Sequence, residues 1–212
     1  MKTYPVSLIG LAQRQVVVVG GGAVAARKVA TLLEADARVT VISPDLTSEL
    51  EALVEAGRIA ALNRPYREGD LAAAFLVIAA TDDAEVNRAV WREADRRGCL
   101  INVVDDLAHS NFIVPAVVRR GELTLAVSTG GDSPALARRL REQLEAEIGP
   151  EYGELVALLG ELRPDLLARF APGRARLAAA LRLVDSDLLD VIRAEGVEAA
   201  RRYAWKLVET DG

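Results

Sequence analysis

The sequence predicts an α/β fold: a doubly wound parallel sheet, followed by a small α+β segment and a helical C-terminal domain. Three observations carry that prediction. Short β-branched runs alternate with helical periodicities over roughly residues 1–113, the rhythm of strands buried between helices. The first run, Val16 to Val19, ends in Gly20-Gly21-Gly22 and leads into a helical pattern. After Phe112 the alternation stops, and hairpin-like strands give way to helical patterns alone.

Residues 16–19 are four valines bounded by glycine, which reads as a strand covered on both faces. Residues 23–35 carry Val24, Val29, Leu32 and Leu33 at helical spacing. Residues 38–42 (RVTVI) form a second strand, closed by Ser43-Pro44-Asp45. A helix over 47–56 turns Leu50, Leu53 and Val54 inward, and 59–62 is a short strand. The strand at 76–79 stops at Thr81-Asp82-Asp83, a helix covers 85–97, and the strand at 100–104 stops at Asp105-Asp106. Strands at 113–119 and 123–128 flank Arg120-Gly121-Glu122. Ser133-Pro134 then opens a helix, serine as N-cap and proline at its first position. Its apolar stripe is Leu136, Leu140, Leu144 and Ile148, and Gly149-Pro150 ends it. Further helices are expected at 154–162, 165–170, 174–183, 186–195 and 197–209, separated by proline and glycine. The domain boundaries this suggests are 1–113, 114–150 and 151–212.

Composition removes several function classes. One His (His109) and one Cys (Cys99) do not supply the three or four ligands of a His/Cys zinc site, so no metal site is expected. No disulfide can close within the chain. Twenty-six basic against 31 acidic residues leave a net charge of −5, which is no footprint for nucleic acid. No apolar run approaches the ~20 residues of a membrane span, and the first residues lack a targeting pattern. The expected compartment is the cytoplasm. Near-neutral acid–base chemistry falls to carboxylates, since His109 is the only side chain that titrates there unperturbed.

Gly20, Gly21, Gly22, Ala23, Val24 and Ala25 fit G-x-G-x-x-A between a strand and a helix, the setting of a dinucleotide fingerprint. Gly20 allows the turn, Gly22 lets backbone approach a pyrophosphate, and Ala25 permits close packing. The helix N-terminus offers N–H groups to the anion. A Gly-rich turn without a ligand is the plain alternative. The usual acid at the end of the second strand is replaced by Ser43, so Asp45 two residues on, or backbone groups alone, would hold the ribose; Arg64 and Arg67 come too late for a 2′-phosphate, which favours NAD over NADP. Asp82, Asp83, Asp105 and Asp106 lie at carboxyl ends of strands, where such sheets bind ligands. Helix capping is the alternative for Asp82 and Asp83. The loop Ser128-Thr129-Gly130-Gly131-Asp132-Ser133 enters a helix N-terminus, as an anion site for a substrate carboxylate or merely as a capped start. Arg138, Arg139 and Arg141 follow on that helix, as carboxylate partners or as a solvated face. Cys99 reads as core and His109 as a loop residue near Asp105.

In combination these motifs are more specific. VVVVGGGAVAARKVATLLEADARVTVISP, AATDDAEVN, and INVVDD with NFIVPAVVRRGELTLAVSTGGDSPALARRLRE resemble the precorrin-2 dehydrogenase/sirohydrochlorin ferrochelatase family, the siroheme-synthase N-terminal module, from about Tyr4 to Ile148. The resemblance implies NAD-dependent oxidation of precorrin-2 to sirohydrochlorin, with Fe²⁺ insertion in some members. It implies a homodimer built through 114–150 and an acid–base role for Asp105. It places NAD contacts at Gly21, Gly22, Ala23, Val24, Ser43, Pro44, Asp45, Thr81, Asn102 and Val103. Thr129 falls where some members carry a regulatory serine. The residue reading adds Gly20 to the cofactor set, and Ser128, Thr129, Gly130, Ser133 and Arg138 as contacts for a carboxylate-rich substrate. A carboxylate at the nicotinamide rim serves as base if partial burial raises its pKa. Two rivals stay open: a dehydrogenase that leaves iron to a separate chelatase, and a non-catalytic NAD-binding sensor domain.

Overall fold

The computed structural model describes residues 3–209. The chain divides into two compact units, the first ending at Val114 and the second beginning at Pro115.

The first unit is a five-stranded, all-parallel sheet with strands β1 (Gln15–Val19), β2 (Arg38–Ile42), β3 (Ala60–Leu62), β4 (Ala74–Ala79) and β5 (Leu100–Val103). Their order is β3-β2-β1-β4-β5, so the winding reverses between β1 and β4. Helices α1 (Ala23–Leu33), α2 (Ser48–Glu55) and α3 (Ala84–Arg97) connect them, which is the doubly wound, Rossmann-like arrangement. The run of valines explains why β1 is central. Val16 and Val18 enter one buried cluster with Ala25 and Val29 of α1 and Leu50 of α2. Val17 and Val19 enter the opposite cluster with Val90 and Ala94 of α3. Each buried valine contributes about 1.5–3 kcal/mol, on both faces at once. Only a parallel sheet covered on both sides uses a continuous apolar strand this way.

The second unit begins with an antiparallel ribbon, β6 (Ala116–Arg120) and β7 (Leu123–Val127). Its register pairs Val118 with Leu125 and Arg119 with Thr124. Helix α4 (Pro134–Glu147) follows, then α5 (Glu151–Arg169), α6 (Arg174–Val184), α7 (Leu188–Glu195) and α8 (Val197–Glu209). The last four surround a core of Leu158, Leu162, Leu166, Leu183, Leu188 and Ile192. Arg120 ties ribbon to helices by donating to the carbonyls of Ile148 (2.9 Å) and Glu145 (3.0 Å) at the end of α4. A Cβ on Gly153 of α5 would crowd the Arg120 carbonyl, so glycine permits that close approach.

Two helices differ from expectation. The break expected at Pro164 is absent, and α5 runs through it. Proline removes one backbone bond at a cost of about 3 kcal/mol. Leu158, Leu162 and Leu166 on one face each return about 1.5–3 kcal/mol by burial only if the helix continues. The stripe expected to be the buried face of α4 is also only partly covered. Ala137 is buried instead, while Leu136 is 51% and Leu140 39% exposed.

Candidate functional site

At the winding reversal, Gly20 donates its N–H to the Ile42 carbonyl (2.9 Å), and the Ala80 N–H donates to Val19 (2.8 Å). A side chain at Gly20 would overlap the Ala80 carbonyl, and φ of 120° there favours glycine. A side chain at Gly21 would overlap the Asp45 carbonyl and crowd the Ser43 hydroxyl. Gly22 differs: nothing lies within 4 Å of where its Cβ would stand. It is the N-cap of α1 and supplies no side-chain cap. The first N–H groups of α1, with exposed Ala23 and half-buried Val24, therefore face open space with the positive end of the helix dipole behind them. Two glycines close the turn, and the third leaves room for an anion. A dinucleotide pyrophosphate fits this cradle.

Beyond β2, Ser43 is buried, and its N–H donates to the Leu62 carbonyl (3.2 Å). Pro44 and Asp45 are exposed at the rim. Asp45 is the carboxylate nearest in sequence to the position that reads a ribose 2′-OH. The Thr47 N–H donates to the Gly21 carbonyl (3.0 Å), and the buried Thr47 hydroxyl oxygen has no hydrogen-bond partner among the described residues.

At the end of β4, Asp83 caps α3, accepting from the N–H groups of Glu85 (2.8 Å) and Val86 (3.2 Å). Half-buried Thr81 accepts from the Asp83 N–H (3.1 Å), and its carbonyl accepts from the Asn87 amide (2.8 Å).

The end of β5 is built differently. Buried Val103 donates to the Ser110 hydroxyl (2.9 Å), and Asn102 donates to the Phe112 carbonyl (3.1 Å). These contacts fold the 104–112 segment back over the strand. The strand ends at Val103, one residue before the sequence suggests, because Val103 and Asp106 bridge across a tight turn. Asp105 sits in that turn with φ of 60°, the left-handed region, one of two non-glycine residues there among those described. The other, Asp36 (φ 53°), ends α1. The Asp105 side chain is exposed rather than partly buried.

Two interactions beside Asp105 went unpredicted, the pairing of Asp106 with His109 and the approach of Lys28. Asp106 accepts from the His109 ring Nδ1 (2.6 Å) and from the His109 N–H (3.2 Å), and His109 packs edge-on against Trp91 with ring centroids 4.5 Å apart. The His109 hydrogen bond holds the Asp106 carboxyl below the usual range. The D-x-x-H spacing in a turn was the available signal. Lys28, half-buried on α1, has its ammonium pushed down by burial and by Arg27, and pulled back up by Asp105. It lies within electrostatic reach of that carboxylate.

In the second unit, the 128–133 loop is tied locally. Ser128 Oγ accepts from the Gly130 N–H (3.2 Å), Thr129 Oγ1 from Ser133 (3.0 Å), and Ser133 Oγ caps Leu136 (3.3 Å). Arg138 donates to Glu142 (2.9 Å) on an exposed face.

Residues 8–116, just over half of the chain, match a family described as putative NAD(P)-binding. The chain belongs to this family. Residues 120–147 match a second family, the sirohaem biosynthesis protein central region. Relatives include the siroheme synthases of Methylobacillus flagellatus (43% identical over 98% of this chain and 44% of that protein) and Chromobacterium violaceum (41% over 100% and 45%). The chain thus spans less than half the length of these relatives. A solved structure of SirC, precorrin-2 dehydrogenase, matches 99% of this chain and all of that one, with a TM-score of 0.77 and 28% identity. The NAD(P)-binding match covers the glycine turn and all five strands whose ends form the crevice.

Proposed function

We propose that this chain is an NAD-dependent precorrin-2 dehydrogenase of siroheme biosynthesis, acting in the cytoplasm as a homodimer. One observation carries the reading: the uncapped N-terminus of α1 and the left-handed Asp105 stand at carboxyl ends of strands in one sheet. An anion cradle and a held carboxylate are the parts that dehydrogenation needs.

NAD⁺, when bound, supplies the hydride acceptor. The N–H groups of α1, with Ala23 and Val24, would hold its pyrophosphate, with Gly20 and Gly21 fixing the turn, and Ser43, Pro44 and Asp45 would line its ribose end. Thr81, Asn102 and Val103 would border the nicotinamide end. Dehydrogenation of the substrate to a new double bond would also release one proton, which a base of this chain would take. Asp105 is that base in this reading. Ser128, Thr129, Gly130, Ser133 and Arg138 offer donors for substrate carboxylates. Residues 114–150 form the dimerisation segment, and 151–212 a helical domain. The apolar residues that α4 leaves exposed support self-association there. Where the chain also inserts Fe²⁺, the metal is substrate, held chiefly by the tetrapyrrole nitrogens. Among the described residues, no three or more His, Cys, Asp or Glu come together as a metal cluster. No described helix is long and apolar enough to cross a membrane.

The test is anaerobic incubation with precorrin-2 and NAD⁺, following NADH absorbance, then addition of Fe²⁺ to read siroheme formation. Asp105→Asn keeps a residue tolerant of the left-handed region and removes the base. Its kcat should fall at least ~100-fold, the usual scale for a lost general base, with NAD⁺ affinity and circular dichroism unchanged. Full turnover by this variant removes Asp105 from the mechanism. NAD⁺ binding by the wild-type chain without any oxidation of the tetrapyrrole favours the sensor reading.

A further inference from the structure

Residues 3–10 are extended and exposed, ahead of a 3-10 turn at Leu11–Gln13. Their apolar side chains point into solvent: Tyr4 is 88%, Val6 69% and Ile9 89% exposed. Tyr4, Val6 and Leu8 alternate with Pro5 and Ser7, the period of a one-sided strand. Residues 3–9 enter no backbone hydrogen bond among the described residues. This segment therefore has the pattern of a strand and lacks its ladder.

The second unit offers the complement. The β6–β7 ribbon is two-stranded, a size marginal on its own. Strand β7 reads Leu-Thr-Leu-Ala-Val, without charge, proline or glycine. It lacks the charges and proline that protect a free sheet edge, whereas β6 ends in Arg119 and Arg120. Its alternation matches too. Leu123, Leu125 and Val127 are half-buried on one face, while Thr124 and Ala126 are exposed on the other.

We propose that residues 4–8 of one chain add as a third strand to the free edge of β7 in a second copy. Tyr4, Val6 and Leu8 then extend the apolar face of Leu123, Leu125 and Val127, and Ser7 joins the exposed face of Thr124 and Ala126. Pro5 fits, because the added strand is the new outer one and needs no N–H there. A second copy is the occupant because α4 of the same unit already leaves Leu136 and Leu140 open. Two-fold symmetry also makes the exchange reciprocal, satisfying two segments and two edges at once. The proposal rests on the self-association part of the function above and is independent of the chemistry.

The single cysteine makes the test clean, since Cys99 is buried. In a Cys99→Ser background, one preparation carries Ser7→Cys and a second Ala126→Cys or Thr124→Cys. Mixing and oxidation should give a disulfide dimer containing one chain of each kind. Deleting residues 3–9, or the milder Val6→Asp, should weaken dimerisation at least tenfold by sedimentation while circular dichroism stays unchanged. A full chain that is monomeric at every concentration overturns both this proposal and self-association. A dimer that forms no mixed disulfide and ignores both the deletion and Val6→Asp overturns the strand exchange alone. So does a disulfide that forms only within a doubly substituted chain.

Discussion

The two units treat their apolar residues in opposite ways. In the first, every strand residue of β1 from Val16 to Val19 is buried, two against one helical layer and two against the other. In the start of the second, β7 alternates half-buried with exposed residues, and α4 turns Leu136 and Leu140 to water. The sheet of the first unit and the helices on its two faces close on each other, and at the glycine turn open space remains beside Gly22. The ribbon and α4 leave apolar residues open, the feature on which the proposed self-association rests.

Three adjacent glycines of the first unit carry the largest expected effect. Gly20→Ala and Gly21→Ala each push a methyl group into a backbone carbonyl, of Ala80 and Asp45 respectively. Each should cost more than about 3 kcal/mol or prevent folding, since backbone strain and overpacking add. Gly22→Ala meets open space. It should leave the urea midpoint nearly unchanged and weaken NAD⁺ binding, read by fluorescence titration. Equal destabilisation by all three would mean the open space at Gly22 is not held for a ligand.

Next in size is a pair of leucines. Leu162→Ala, in the helical core, should cost about 2–5 kcal/mol by leaving a cavity. Leu140→Ala on α4 should leave the unfolding free energy of a dilute, monomeric sample nearly unchanged and weaken self-association instead. Denaturation at two protein concentrations separates the two effects.

A third prediction concerns acid. Glu93 of α3 is buried and accepts from Tyr66, from the Gly69 N–H (3.0 Å) and from Arg97 (2.7 Å), which joins the segment after β3 to α3. Burial pushes its pKa up, but the Tyr66 and Gly69 hydrogen bonds and Arg97 outweigh it, and the net shift is downward. A lowered carboxylate pKa adds stability that is fully present above the unfolded value of about 4.3, and lost as pH falls through the folded one. The first unit should lose stability over that acid window. Glu93→Gln should flatten the loss and cost about 1–3 kcal/mol at neutral pH, the scale for hydrogen bonds to a charge. An unchanged acid profile in this variant would deny Glu93 that role.

The same contrast explains what the sequence made legible. The parallel sheet was readable because buried-strand runs, glycine and the switch to helical periodicity are all local signals, and β1 through β5 fall where those signals are. Pro164 misled because a local breaker competes with Leu158, Leu162 and Leu166, whose burial is a tertiary quantity. The α4 stripe misled for the same reason, since periodicity finds an apolar face and does not say what covers it. At the site, the glycine turn and the strand-end aspartates were visible as motifs. The left-handed backbone at Asp105, the Asp106–His109 pair and the approach of Lys28 were not, because each depends on how the 104–112 segment folds back onto β5.

The smallest predicted effect separates two residues that share one backbone conformation. Asp36 and Asp105 both occupy the left-handed region, which costs a non-glycine residue about 1–2 kcal/mol, less for aspartate. At Asp36 the conformation ends a helix, a place where glycine is the common solution. At Asp105 it ends a strand at the crevice and aims a carboxylate outward. Asp36→Gly and Asp105→Gly should therefore each stabilise the first unit by up to about 1 kcal/mol, read as a rise in urea midpoint. Only Asp105→Gly should lose NADH production. If both variants gain stability and both keep turnover, the strain at Asp105 is ordinary turn geometry. If Asp105→Gly alone trades activity for stability, the strain is held there because the carboxylate is needed at that point.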